Sequence, residues 1–135
     1  MKRVFVDSNV FLRFFTRDDV GQYKDAAKLF RDAAAGKLEL ITGPPVLFEI
    51  VWTLRAAYRQ PREKVLEVVS AIRALPGLRL VDAVVVDEAL AIAQRSGQEF
   101  ADAYVFASAH EAGADEIATF NRSHFERLGA LLHWG

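Results

Sequence analysis

Asp7, Glu49 and Asp102 are acids set in apolar runs, and their types and placement suit a metal site. Asp7 closes Arg3-Val-Phe-Val6, a run with the β-branched and aromatic character of a buried strand. Ser8 and Asn9 follow, both good helix N-cap types, and then an apolar helical pattern at Val10, Phe11, Phe14 and Phe15. A carboxylate is thus held at the carboxyl end of a first strand, where open α/β sheets bind their ligands. Glu49 has Val46, Ile50 and Trp52 at i−3, i+1 and i+3, beside an apolar helical face. Asp102 has Val105, Phe106 and Ala109 at i+3, i+4 and i+7. A carboxylate on a core-facing stripe is costly unless it is paired or coordinates a metal.

Each acid also has a plainer role open to it. Asp7 and Asp102 could cap the helices they begin, and Glu49 could pair with one of the many arginines. Three such acids, on elements able to converge at one sheet edge, point to a shared site. The chain has no cysteine and three histidines, His110, His124 and His133, none at zinc-like spacing. His110 reads as a helix-surface residue and His124 as a loop residue, both structural. An all-oxygen site suits the hard cations Mg²⁺ or Mn²⁺. Such ions serve phosphoryl chemistry, activating water for in-line attack and stabilising the leaving oxygen, sometimes as a pair roughly 4 Å apart.

The elements that must position these acids alternate. Strands are expected at 3–6, 38–42, 78–81 and 116–120, with a short fifth at 131–133. Helices are expected near 10–15, 22–35, 46–59, 61–74, 86–95 and 100–112, with Gly36, Pro61, Pro76-Gly77, Gly97 and Gly113 as punctuation. This pattern implies an α/β fold: a parallel sheet of four to five strands covered by helices on both faces, in a single domain over residues 1–135. The 135 residues suffice for one core, and 52% hydrophobic with 26% charged composition excludes a disordered chain. Net charge is −1, which argues against a uniformly basic nucleic-acid coat but allows a local basic rim. The absence of cysteine fits a reducing cytoplasm. No signal-like segment or run of membrane-spanning length is present, so no membrane role is expected.

Four segments, in order, resemble the PIN-domain ribonucleases, in particular the VapC-type toxins of toxin–antitoxin pairs. They are Val4-Phe-Val-Asp7-Ser8-Asn9-Val, Pro45-Val-Leu-Phe-Glu49-Ile-Val-Trp-Thr-Leu, Phe100-Ala-Asp102-Ala-Tyr-Val-Phe-Ala-Ser-Ala and Ile117-Ala-Thr119-Phe120-Asn121-Arg-Ser-His-Phe125. The resemblance covers nearly the whole chain. It implies that Asp7, Glu49 and Asp102 are catalytic, metal-binding acids, with Ser8 and Asn9 orienting the site. It implies an RNA substrate cut to 5′-phosphate and 3′-hydroxyl ends with Mg²⁺ or Mn²⁺, and a small antitoxin protein as partner. A homodimer is compatible with it. The family often has a fourth acid after the last strand; here Asn121 stands in that position, which bears on a second metal more than on the first. Glu99, one turn before Asp102, is a candidate for the missing charge.

Arg13, Arg17, Arg55 and Arg59 follow the first two acids on their helices and could hold RNA phosphates bidentately, although most helix arginines are solvated. Phe11, Phe14 and Phe15 read as core, with some able to line a groove for a partner helix. Two other functions stay open. One is a Mg²⁺-dependent phosphatase or phosphotransferase with Asp7 as nucleophile, which usually wants a second acid where Asn9 stands. The other is an inactive PIN-like binding module, favoured only by Asn121.

Overall fold

The computed structural model describes residues 1–134. The chain forms two compact units, Met1–Asp82 and the residues from Ala83 onward. The first contains β1 (Arg3–Phe5), α1 (Ser8–Thr16), α2 (Val20–Ala34), β2 (Glu39–Thr42), α3 (Pro44–Ala56), α4 (Arg62–Arg73) and β3 (Leu78–Leu80). The second contains α5 (Ala83–Ser96), α6 (Phe100–Glu111) and α7 (Arg122–Arg127).

In the first unit β1, β2 and β3 make a parallel sheet in that order, with Val4 opposite Leu40 and Ile41 opposite Arg79. Parallel neighbours need a crossover, and α1–α2 and α3–α4 supply the two crossovers. Alternation along β2 buries Leu40 and Thr42 and leaves Glu39 and Ile41 half-buried. Val6, Phe11, Leu47, Ile50, Val65, Val69 and Ile72 complete the core of this unit. Gly77 leads into β3 at φ +79°, where a Cβ would meet the Ala33 carbonyl oxygen at 2.5 Å. Only glycine lets the chain pass so close to the end of α2.

Phe11 stacks on Phe30 with centroids 5.6 Å apart, and Phe14 meets Phe30 edge-on at 4.8 Å and Tyr23 face-on at 5.6 Å. The aromatic side chains of α1 therefore fasten it to α2. The α1–α2 turn is also tied to the turn after α3. Tyr58 Oη donates to Asp18 Oδ2 at 2.5 Å, and Thr16 Oγ1 donates to Asp18 Oδ1 at 3.0 Å. Arg13 lies 3.4 Å from the same carboxylate. The Tyr58 hydroxyl, then Thr16 and the Arg13 charge, outweigh desolvation and hold the Asp18 carboxyl below its ordinary value of 3.8. A depressed carboxylate stabilises the fold above its unfolded pKa and loses that contribution as pH falls through the folded value. Tyr58→Phe is expected to raise the Asp18 pKa, and the stability gap between the two proteins should narrow below about pH 4. Carboxyl titration by NMR with acid unfolding checks this; an unmoved Asp18 resonance midpoint would contradict it.

In the second unit α5 and α6 pack together, burying Val86, Ala89, Ala93, Phe100, Ala103 and Ala107. The expected fourth and fifth strands are a correction to the sequence-based fold. Residues near 117 and 132 make one parallel bridge, with Ile117 N–H donating to Leu131 O and His133 N–H to Ile117 O. The three-stranded sheet of the first unit is the sheet among the described residues. Glu116, Ala118 and Phe120 are exposed, so only alternate residues of 116–120 have any cover. The segment then turns at once, with Asn121 N–H donating to Thr119 Oγ1 at 3.0 Å. A run of good β-formers without burial does not extend a ladder.

Candidate functional site

Asp7 sits two residues beyond β1, at the carboxyl end of the parallel sheet. It both ends the strand and caps α1: Oδ1 accepts from Ser8 N–H at 2.7 Å. Its backbone neighbour Val6 is fixed from two sides. Val6 N–H donates to Ile41 O at 2.8 Å, and the Thr42 hydroxyl donates to Val6 O at 3.0 Å. Thr42 is fully buried, so its hydroxyl acts as a clamp between the ends of two strands. Sequence inspection passes over Thr42, because a threonine closing a strand looks like an ordinary β-former. Ser8 is buried at the first turn of α1, and Asn9 is exposed.

Glu49 lies on α3, the helix that leaves the carboxyl end of β2, and β2 is the strand paired with β1. Pro44 and Pro45 occupy its first turn, where a missing N–H costs nothing. The buried stripe of α3 is Val46, Leu47, Ile50, Val51 and Leu54. Glu49 is exposed, and Trp52 is 68% exposed. This corrects the expectation that Glu49 stands on a core-facing stripe: its charge stays in water, so burial is no reason for it to bind a metal. The plainer role fails as well, since Glu49 makes no ion pair among the described residues.

Asp102 lies in the first turn of α6 in the second unit. Its side chain is 23% exposed, and His124 Nδ1 is 3.2 Å from Oδ2. His124 is on α7, not in a loop, and faces the third acid. The two positions are 22 residues apart, so no local spacing reveals the pair. His110 is on the surface of α6 as expected, 2.7 Å from Glu88, and His133 is 3.1 Å from Glu116. Asn121 precedes α7 with an exposed side chain that makes no cap bond. Glu99 is the residue before α6 and likewise makes no side-chain cap bond.

The arginines differ in how they are engaged. Arg13 donates to Gln22 Oε1 at 2.7 Å and pairs with Asp18. Arg17 lies over the Tyr23 ring at 4.6 Å. Arg55 donates to the Gln60 carbonyl at 3.1 Å. Arg59 is exposed with a left-handed backbone and no ion pair among the described residues. A groove of about 430 Å³ runs between α1 and α2, bordered by Asn9, Val10, Arg13, Gln22, Asp25 and Leu29. Phe11 and Phe14 pack inward rather than onto it, while Phe15 borders a separate cleft with Thr16, Leu54 and Tyr58.

The donor chemistry fits a hard divalent cation: oxygen donors, no thiolate, and a Glu49 carboxylate with no cation already beside it. Among the described residues no three His, Asp or Glu side chains are gathered closely enough to hold an ion between them. A Mg²⁺ site does not need such a cage, because that ion keeps several waters and takes one or two carboxylates plus substrate phosphate. No described helix is long and apolar enough to cross a membrane.

Comparison with curated proteins gives no match. The PIN domain model matches residues 4–131, which runs from β1 to the bridge after α7 and includes Asp7, Glu49, Asp102 and Asn121. PIN domains are generally nucleases and typically use divalent metal ions. By this match over nearly its whole length, the chain belongs to the PIN domain family.

Proposed function

We propose that the protein is a metal-dependent endoribonuclease that acts as the toxin of a toxin–antitoxin pair. The observation that carries this is Asp7: an exposed carboxylate at the carboxyl end of β1 that accepts from Ser8 N–H and follows Val6, whose carbonyl Thr42 holds, in a chain of the PIN family. Asp7, Glu49 and Asp102 are the acids that would serve Mg²⁺ or Mn²⁺, one or two of them bound to the ion directly and the rest through its waters. When bound, such a cation acidifies a water and offsets charge on a phosphodiester. The chain's own residues then have separable tasks. Ser8 N–H holds the Asp7 carboxylate, and Thr42 holds the Val6 carbonyl before it. His124 stands 3.2 Å from the Asp102 carboxylate and can orient it. Arg59, just beyond α3, is exposed with no ion pair among the described residues and could meet a backbone phosphate.

The expected reaction is hydrolysis of an RNA phosphodiester, leaving a 5′-phosphate and a 3′-hydroxyl. Incubating RNA with Mn²⁺, with and without chelator, and analysing the ends tests this. Cleavage that survives chelator, or 2′,3′-cyclic ends, would defeat it, because cyclic ends require the RNA's own 2′-hydroxyl as nucleophile. Asn9 borders the groove beside α2 and supplies no second acid of the kind phosphotransfer from Asp7 wants.

The α1–α2 groove suits the antitoxin. It begins two residues from Asp7, mixes apolar Val10 and Leu29 with Asp25, and can take an extended or helical segment carrying an arginine. Co-expression with a small adjacent reading frame should relieve growth inhibition and give a co-purifying complex. Neither effect would be seen if the chain were not one half of such a pair.

A further inference from the structure

Phe120 is 90% exposed, an unusual cost for a large ring. Trp134 lies beside one of its faces, with centroids 5.0 Å apart and planes within 8° of parallel, and leaves most of the ring in water. Trp134 is half-exposed and is held in place from its backbone and its side. Arg122 Nη1 donates to its carbonyl oxygen at 3.3 Å, and His133 meets its ring edge-on at 5.5 Å. His133 is itself tied back through its N–H to Ile117 O. The other face of Phe120 is open to water.

Two stacked rings with an open face and a guanidinium beside them have the composition of a single-strand nucleic-acid platform, in which bases stack on aromatics while a cation follows the phosphates. We propose that Phe120, backed by Trp134, stacks an unpaired base of the RNA substrate while Arg122 meets a neighbouring phosphate, an inference that rests on the ribonuclease function. Arg122 also pairs with Glu126, but both side chains are about half-exposed, so phosphate readily replaces that contact. Placement agrees with this role. Phe120 and Asn121 lead directly into α7, whose His124 touches Asp102. Bases in a duplex are already stacked on both faces, so the platform favours unpaired RNA. A second copy of the chain is a poorer occupant. Two rings bury roughly 150–250 Å² each, whereas a stable interface takes about 800 Å² per partner.

The protein has two tryptophans, so Trp52→Phe leaves Trp134 as the only one. Its fluorescence can be titrated with a short single-stranded RNA in chelator, where nothing is cut, and with the matching duplex. Quenching by the single strand but not by the duplex is expected. Phe120→Ala and Phe120→Leu should weaken binding about 5- to 150-fold, the range for losing one stacked base, and Phe120→Tyr should restore it. In cleavage, Phe120→Ala should raise KM and leave kcat within about twofold, as for lost uniform binding. A Phe120→Ala protein that binds and cuts RNA like wild type overturns the platform and leaves the nuclease standing. Single-strand quenching lost in Phe120→Ala, in a protein that cuts no RNA, keeps the platform and removes the nuclease. Unchanged RNA affinity with lost self-association assigns the rings to a contact between copies and overturns the proposal. A wild type that neither binds nor cuts RNA overturns both.

Discussion

Asp7→Asn should abolish RNA cleavage while leaving the fold as it is. The amide oxygen of Asn can still accept the Ser8 N–H that Asp7 Oδ1 accepts at 2.7 Å. Asn and Asp are nearly equal as helix caps, so stability should change by less than about 0.5 kcal/mol. What disappears is a negative charge at the carboxyl end of β1. Charge count tunes oxygen sites for hard cations, so one charged ligand fewer should cost most of the metal affinity. A fall of at least about a hundredfold in kcat/KM, near 2.7 kcal/mol, is expected. Paired measurements of melting and cleavage on the two proteins separate capping from catalysis. Lost melting stability with cleavage intact would make Asp7 a cap and nothing more.

Phe11→Ala should destabilise the protein by about 3–5 kcal/mol, the usual cost of truncating a buried phenylalanine. Phe11 is fully buried and stacks on Phe30, and Phe14 closes against the same ring. Removing it leaves a cavity between α1 and α2 that these edge-on and stacked rings cannot close by small shifts. Domains of this size hold only about 5–15 kcal/mol in all, so the midpoint of urea unfolding should fall far while its slope is retained. A loss under about 1 kcal/mol would show that α1 is not anchored through Phe11. Since Asp7 caps α1, weakened anchoring should also lower activity at temperatures where part of the population opens.

Much of the fold is legible in the chain because its signals are local. Val4 to Val6 announce a strand and the apolar spacing after Asp7 announces a helix, and both form with Asp7 at their junction. Gly36 and Gly113 follow helix ends with positive φ, as punctuation predicts. Where expectation fails, sequence neighbours mislead about direction. Residues 45–52 are apolar except Glu49, so α3 shows no clean face from which its exposure could be read. Residues 116–120 look like a strand, yet Phe120 points outward and the ladder stops after one bridge. The Thr42–Val6 clamp spans 36 residues and the His124–Asp102 pair 22. Contacts at that separation are products of folding and leave no spacing to find. The acids themselves were legible by type. Their individual environments were not.

The proposed mechanism has Asp7, Glu49 and Asp102 serve one metal function. Calorimetric titration of Mn²⁺ into the wild type and into Asp7→Asn, Glu49→Gln and Asp102→Asn tests it most directly. Each substitution removes a charge and little volume, so the fold should survive all three. Divalent-ion binding is expected in the wild type and should weaken in every variant, by about tenfold or more, with cleavage falling in step. Wild-type binding that one of these variants leaves untouched would remove that acid from the site, and no wild-type binding at all would contradict the metal-dependent mechanism.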